Sequence, residues 1–242
     1  EKSTFCWYNN KKRCLKYNIF IMKILNTIEE DYHIHSLNYS DGLCTIDEIV
    51  QYAGKIWLKK IAITDHSQAD LDHNNFLLKN WRSTIKRWKN VHNDVEVIFG
   101  IEWDLLDEEG NCCLDIQWRV SDFCILSCHM PVYKWDKKNI TQAYINAIHQ
   151  NHEKIKFMWH ICNETTSEYL DVEAIAKILN QYQIPIEIIC SYLNMGRTNL
   201  EKLIKLIHLV EAWVYVNSDL HVLNDFNLRQ AGFDYLREQG LG

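Results

Sequence analysis

Short apolar segments alternate with segments of helical periodicity along most of the chain. Seven runs rich in Ile, Val, Phe and Trp are predicted to be strands, at residues 31–36, 60–65, 95–104, 123–128, 156–160, 185–190 and 212–218. Most of these runs are continuously apolar, which is typical of strands that are covered on both faces.

Helical periodicity predicts helices between these strands, at residues 45–56, 75–92, 141–152, 172–182, 200–209 and 225–238. The first opens with Thr45 three residues before Glu48, the spacing of a capping box. A strand followed by a helix, repeated along the chain, favours an α/β fold with parallel strands. An open doubly wound sheet and a closed barrel both fit this pattern.

The composition is that of one globular domain, because 242 residues with 47% hydrophobic and 24% charged side chains lie in the ordinary range. We assign residues 1–29 to an N-terminal extension and 30–242 to the domain, and expect 1–21 to lie outside the core fold. Basic residues before the apolar run 19–25 imitate a signal peptide, but Lys23 interrupts the run and no small-residue cleavage site follows. The run is also too short to span a membrane.

Charge and cysteine content narrow the function classes. A formal net charge of −6 disfavours a protein that binds duplex DNA, which usually needs a basic face. Nine cysteines without regular spacing do not suggest a disulfide framework, so we expect free thiols and a cytoplasmic location.

Metal-binding side chains occur where the predicted strands end, and in a parallel fold those ends share one rim. They are His33, His35, Asp65, His66, Glu102, His129, His160, Asp219 and His221. His33 and His35 point the same way if they lie on one strand, and can therefore hold one ion. This set is too large for one tetrahedral zinc, so we expect two or three divalent ions of zinc, manganese or iron. The remaining histidines, at 73, 92, 149, 152 and 208, fall in predicted helices or loops and are interpreted as solvated or packing residues.

Several of these segments resemble motifs of the polymerase and histidinol phosphatase (PHP) family, over about residues 30–240. The segments are 31–42 (DYHIHSLNYSDG), 61–66 (IAITDH), Gly100 to Glu102, Ser127 to His129, Trp159-His160 and Asn217 to His221. The resemblance implies a distorted (β/α)₇ TIM-like barrel with a trinuclear metal site at the C-terminal rim. By motif matching its ligands would be His33, His35, Asp41, His66, Glu102, His129, His160, Asp219 and His221.

Stand-alone PHP phosphatases and the PHP domain of bacterial DNA polymerase X are the members that this chain resembles most. Three residues depart from the family pattern: Leu220 before the final histidine, Cys190 where Asn is common, and Cys128 before His129. These departures bear on how a substrate fits, and leave the metal ligands intact.

We therefore expect a metal-dependent phosphoesterase that hydrolyses a small phosphomonoester with a metal-activated water. Glu102 is expected to bridge ions, Asp219 and His221 share the catalytic role, and Arg197 is a candidate phosphate clamp. Two alternatives remain: a 3′–5′ exonuclease or phosphodiesterase acting on nucleic acid ends, and a metal-binding module with a partner-binding role.

Overall fold

The computed structural model describes residues 24–75, 92–211 and 213–238, and its sheet is built from seven parallel strands. They follow the order β1-β2-β3-β5-β6-β7-β8, and β4 adds to β3 in the antiparallel direction. The strands are β1 (Glu30–Asp31), β2 (Lys60–Ile63), β3 (Glu96–Leu105), β4 (Cys112–Cys113), β5 (Phe123–Ser127), β6 (Ile155–Met158), β7 (Ile186–Ile189) and β8 (Val214–Asn217).

Helices connect the parallel strands. They are α1 (Ile46–Lys55), α2 (Gln68–Asn74), α3 (Ile140–Asn151), α4 (Val172–Tyr182), α5 (Cys190–Met195), α6 (Leu200–Leu209) and α7 (Arg229–Glu238), with short 3₁₀ turns at Lys137–Asn139, Ser167–Tyr169 and Leu223–Leu228. The predicted capping box at Thr45 and Glu48 is present. Among the described residues, no helix is long and apolar enough to cross a membrane.

The sheet curls into a nearly closed barrel, because the segments that follow its two outermost strands, β1 and β8, meet each other. Ile34 and Leu220 form a parallel bridge, in which the His35 amide donates to the Leu220 carbonyl at 2.9 Å. The Leu220 amide in turn donates to the His33 carbonyl at 3.3 Å. The distorted barrel expected from the family resemblance is confirmed.

The first predicted strand, 31–36, is shorter than expected, since regular pairing stops at Asp31. Beyond Asp31 a side chain replaces part of the backbone pairing: the Ile34 amide donates to Thr64 Oγ1 at 3.1 Å. The other six strands and the four helices predicted at 45–56, 141–152, 172–182 and 200–209 lie where the sequence predicts them, within a few residues at each end. The last helix begins at Arg229 after a 3₁₀ turn, four residues later than predicted.

Some predictions lie wholly or partly outside the described residues. These are the tail at 1–21, most of the helix predicted at 75–92, and Ala212 in the last strand. Residues 24–29, which we assign to the extension, contact the barrel: Leu25 donates its amide to the Val214 carbonyl at 2.9 Å. Asn26 is buried and donates from Nδ2 to the Val216 carbonyl at 2.8 Å.

Helix α7 packs very closely on the barrel, and Gly232 makes this approach possible. A Cβ atom at Gly232 would lie 2.4 Å from Cys190 Sγ and 2.9 Å from Val216 Cγ1. These distances are shorter than van der Waals contact, so only a residue without a side chain fits between the helix and β8.

We predict that Gly232→Ala lowers the free energy of unfolding by about 1–3 kcal/mol, because the added methyl group overpacks this contact. Urea denaturation measures the change, with Gln230→Ala as a control at an exposed position of the same helix. Equal stability of the two variants would contradict the packing described for α7.

Candidate metal centre

Potential metal ligands converge at the rim of the barrel in three overlapping groups, and the ligand atoms within each group lie within 4.8 Å of one another. The groups are His35, Asp41, His66 and His221; His33, His35 and Glu102; and His66, Glu102 and His129. His35, His66 and Glu102 each belong to two groups, so the three groups form one continuous cluster.

Glu102 lies at the centre of this cluster and is fully buried. Its Oε2 is 3.0 Å from His66 Nδ1, 3.2 Å from His35 Nε2 and 3.7 Å from His33 Nε2. Its Oε1 is 3.3 Å from His129 Nε2. One carboxylate therefore faces imidazole nitrogens that arrive from three different parts of the barrel.

Asp219 adds a second buried carboxylate beside the first two histidines. Its Oδ1 is 3.2 Å from His35 Nε2 and 3.3 Å from His33 Nε2. The chain has left the strand there, because β8 ends at Asn217 and Asp219 has a positive φ of 55°. A left-handed conformation at a non-glycine residue is strained, and such residues are concentrated at functional sites.

The outermost group opens towards solvent. Asp41 is about half exposed, and its Oδ1 lies 3.2 Å from His66 Nε2 and 3.1 Å from His221 Nε2. The group therefore forms the accessible face of a cluster whose centre is closed.

His160 and Arg197 lie beside the cluster and belong to none of the three groups. The His160 ring is 5.4 Å from the His129 ring, and both residues line a cavity of about 170 Å³ together with Arg197 and Tyr192. His160 also has a positive φ, 27°, directly after Trp159, so the chain turns sharply at this point. Asp219 also belongs to none of the three groups, and the ligand roles of all nine candidates stay predictions.

Buried side chains that the sequence reasoning did not identify hold the Nδ1 atoms of three cluster histidines. Glu187 Oε1 is 3.0 Å from Nδ1 of His33, and Asp104 Oδ1 is 2.5 Å from Nδ1 of His129. Ser40 Oγ lies 3.0 Å from Nδ1 of His35. A carboxylate at Nδ1 accepts its proton and leaves the Nε2 lone pair free for a metal ion.

Asp65, a candidate because it ends the second predicted strand, faces the backbone and not the cluster. It accepts from the Ser36 amide at 2.6 Å and from Ser36 Oγ at 2.7 Å. These two hydrogen bonds fix the segment that carries His33 and His35. Burial raises the pKa of Asp65 to about 6.

The cluster shifts the ionisation of its own members. Burial alone would lower the pKa of His33 and His66, but nearby carboxylates outweigh it and raise both values well above normal. Burial also opposes a charge on Glu102, yet the neighbouring histidines, His66 and His129 first, hold its pKa well below its usual range. The same balance raises the pKa of His221 to about 9. In the metal-free protein, protons on the histidines therefore balance the negative charge of the buried carboxylates, as metal cations would.

The residues present fit divalent metal ions. Both oxygens of Glu102, Asp219 Oδ1 and His66 Nδ1 are buried, and none has a hydrogen bond of acceptable geometry. Buried polar atoms without well-formed hydrogen bonds are costly in a folded protein, and bound cations would satisfy them. A mixture of imidazole and carboxylate donors suits zinc, iron or manganese.

The five histidines interpreted as solvated or packing residues lie outside the three groups. His73 and His208 are exposed, and His92 lies next to Asp47 on α1. His149 Nδ1 and the Tyr182 hydroxyl are 2.8 Å apart, and the His152 ring stacks on the same tyrosine.

Known proteins match this chain over most of its length. A model of the PHP domain family matches residues 31–231. A probable phosphatase of Citrobacter koseri is 27% identical over 201 residues, which cover 79% of this chain and 78% of that protein. The probable phosphatase YcdX of Escherichia coli K12 is 26% identical, with the same coverage.

A solved structure shares the fold. The crystal structure of a histidinol phosphate phosphatase from Lactococcus lactis, complexed with zinc, L-histidinol and phosphate, superposes with a TM-score of 0.56. It covers 88% of this chain and 94% of that protein, with 15% sequence identity. At this identity the likeness shows the fold alone.

We predict that metal ions bind more tightly as the pH rises from 6.5 towards 9. The pKa values of His33 and His66 are raised well above normal and that of His221 is about 9, so these three side chains carry protons at neutral pH in the metal-free protein. Nearby carboxylates also raise the pKa of His129. Each metal ion must displace the protons from the histidines that bind it. Calorimetric titration with Mn²⁺ in buffers of different ionisation enthalpy measures the protons released. An affinity that is constant or falls with pH would contradict this.

We also predict that Glu187→Gln weakens metal binding by about tenfold, since Glu187 orients His33 and increases its basicity. Competition with a chromogenic chelator measures the dissociation constant. Glu164→Gln is the matched control, because Glu164 is an exposed carboxylate that pairs with Arg197. The expectation is refuted by a Glu187→Gln protein that binds metal as tightly as the control.

Proposed function

Because the chain belongs to the PHP domain family, we propose that it is a metal-dependent phosphatase that hydrolyses a small phosphomonoester. Relatives with matching coverage are named as probable phosphatases, which supports the reaction class. The loops around the rim select the organic part of the substrate.

The buried Glu102 carboxylate carries the proposal. It faces four histidines, and neither oxygen has a hydrogen bond, which suits a carboxylate shared between ions. Glu102 and the histidines around it would hold divalent ions, which would supply an activated water and neutralise the charge of a phosphate ester. Glu102 keeps those positive charges together, so the protein needs no basic surface of its own to attract phosphate.

The adjoining cavity provides a place for the ester. Arg197 lies on its wall, with the guanidinium carbon 5.1 Å from the centre of the Tyr192 ring. Arg197 Nε donates to Glu164 Oε1 at 3.0 Å, so both terminal Nη groups keep their donors for phosphate oxygens. Stacking and pairing together fix the guanidinium before a substrate arrives, which favours bidentate recognition.

We assign the remaining catalytic role to Asp219, which is buried beside His33 and His35, and to His221, which lies where the cluster meets solvent. Asp219 is fully buried and ionised, because the charges of His33 and His221 outweigh its burial and hold its pKa well below normal. His221 is about one-third exposed and is held by Asp41 at 3.1 Å. A partly exposed imidazole at the edge of the cluster can exchange protons with solvent and with a leaving group.

A small substrate is favoured over a nucleic acid end. The cavity of about 170 Å³ beside the cluster accommodates a compact phosphorylated molecule. The net charge of −6 gives no support to polymer binding. The L. lactis protein, which shares the fold, contains L-histidinol and phosphate, and a small phosphomonoester is the class that we extend to this chain.

We further propose that the protein works in the reducing cytoplasm. All seven cysteines among the described residues are free thiols, at positions 44, 112, 113, 124, 128, 162 and 190. Free buried thiols are typical of proteins kept under reducing conditions.

Phosphate release from a panel of phosphomonoesters tests the proposal, with purified protein loaded with Zn²⁺ or Mn²⁺ and a labelled oligonucleotide as the competing substrate. We expect metal-dependent release from at least one small monoester, loss of that activity in Glu102→Gln, and little attack on the oligonucleotide. Activity on the oligonucleotide alone would favour the exonuclease alternative. Stoichiometric metal binding without hydrolysis of either would favour a binding module.

We predict that Arg197→Ala raises KM for the best monoester by about tenfold or more, because charge-assisted hydrogen bonds to phosphate are lost. Metal content should remain that of the wild type. Arg119→Ala, at another exposed arginine, is the control. Steady-state kinetics with inorganic phosphate as a competitive inhibitor measure the change, and an unchanged KM and inhibition constant would remove Arg197 from the site.

A further inference from the structure

Arg229 is a buried arginine at the start of helix α7, far along the chain from the first metal-site motif. Only 1% of its surface is exposed. A buried guanidinium without partners would be very costly, so its contacts indicate what it does. It donates from Nη2 to the carbonyls of Ile28 and, at 3.4 Å, Thr27. Its Nε has no hydrogen bond and lies 3.7 Å from Asp31 Oδ2, the distance of an ion pair.

Asp31 is itself fully buried and joins the two segments that close the barrel. Its Oδ1 accepts from the His33 amide at 3.2 Å and from the Ser218 amide at 3.3 Å. Its Oδ2 accepts from Ser218 Oγ at 2.6 Å. One carboxylate thus fixes the backbone of the first motif and that of the last.

These two segments carry ligand candidates that must meet. Ser218 immediately precedes Asp219, whose Oδ1 lies 3.3 Å from His33 Nε2. Asp31 therefore sets the relative position of His33 and Asp219, and Arg229 places a positive charge 3.7 Å from the carboxyl group that does so.

The packing of α7 explains how an arginine comes to be there. Its buried residues are Arg229, Gly232, Phe233 and Leu236, which lie on one face of the helix. Gly232 lets this face approach β8, as described above, and Arg229 takes the position on the face that reaches Asp31.

We propose that Arg229 is a positioning residue for the metal centre, which acts through Asp31 to hold His33 and Asp219 in register. It contacts no candidate metal ligand with its side chain, so its effect should appear in how well ions are bound and in the geometry around them. The proposal concerns metal binding and is independent of whether phosphate esters are hydrolysed.

The test compares Arg229→Met and Arg229→Lys with wild type, using the chelator-competition dissociation constant for Zn²⁺ and the visible absorption spectrum of the Co²⁺-loaded protein. We expect Arg229→Met to bind Zn²⁺ about tenfold more weakly and to change the Co²⁺ spectrum. Arg229→Lys should recover part of the affinity, because it restores the charge near Asp31 but not every hydrogen bond. Arg237→Met, at an exposed arginine of the same helix, should match wild type.

Ser218→Ala supplies a second variant in case Arg229→Met does not fold. It removes the 2.6 Å hydrogen bond to Asp31 with little change in volume, and should weaken Zn²⁺ binding in the same direction. The proposal is overturned if folded Arg229→Met, or folded Ser218→Ala where the former cannot be purified, binds Zn²⁺ as tightly as wild type with the same Co²⁺ spectrum.

Discussion

The rim of the barrel depends on one electrostatic constraint: two buried carboxylates, Glu102 and Asp219, must be neutralised by positive charge. In the metal-free protein, protons on the surrounding histidines supply that charge, which is why their pKa values rise while those of the carboxylates fall. We propose that metal ions would supply it more effectively, because both Glu102 oxygens and Asp219 Oδ1 have no hydrogen bond of acceptable geometry. The site thus favours the binding of cations, because its two carboxylates are buried away from water.

This constraint explains the polar groups beneath the cluster. A histidine binds a metal ion well only when its other nitrogen is held, and Glu187 and Asp104 do this for His33 and His129. Burial raises the pKa of Glu187 to about 7, and Asn217 donates to it at 2.7 Å. The strands therefore carry charge inside the barrel, where a purely structural fold would carry apolar side chains.

Much of this centre could be predicted from the sequence, because strands and their C-terminal ends have strong local signals. His33, His35, His66, Glu102 and His129 follow or occupy apolar runs whose ends share one rim. The supporting groups have only a weak local signal, a charged residue inside an apolar run or on a buried helix face. Which histidine each one serves depends on strand register and on long-range packing. Glu187, Asp104 and Arg229 were missed for this reason.

The central claim is that Glu102 is shared by more than one metal ion, and anomalous X-ray diffraction from crystals loaded with Zn²⁺ or Mn²⁺ tests it most directly. We predict two or three anomalous peaks at the rim, with at least two ions coordinated by the Glu102 carboxylate at about 2.0–2.2 Å for zinc. A single peak, or several peaks of which none or only one contacts Glu102, would contradict the account.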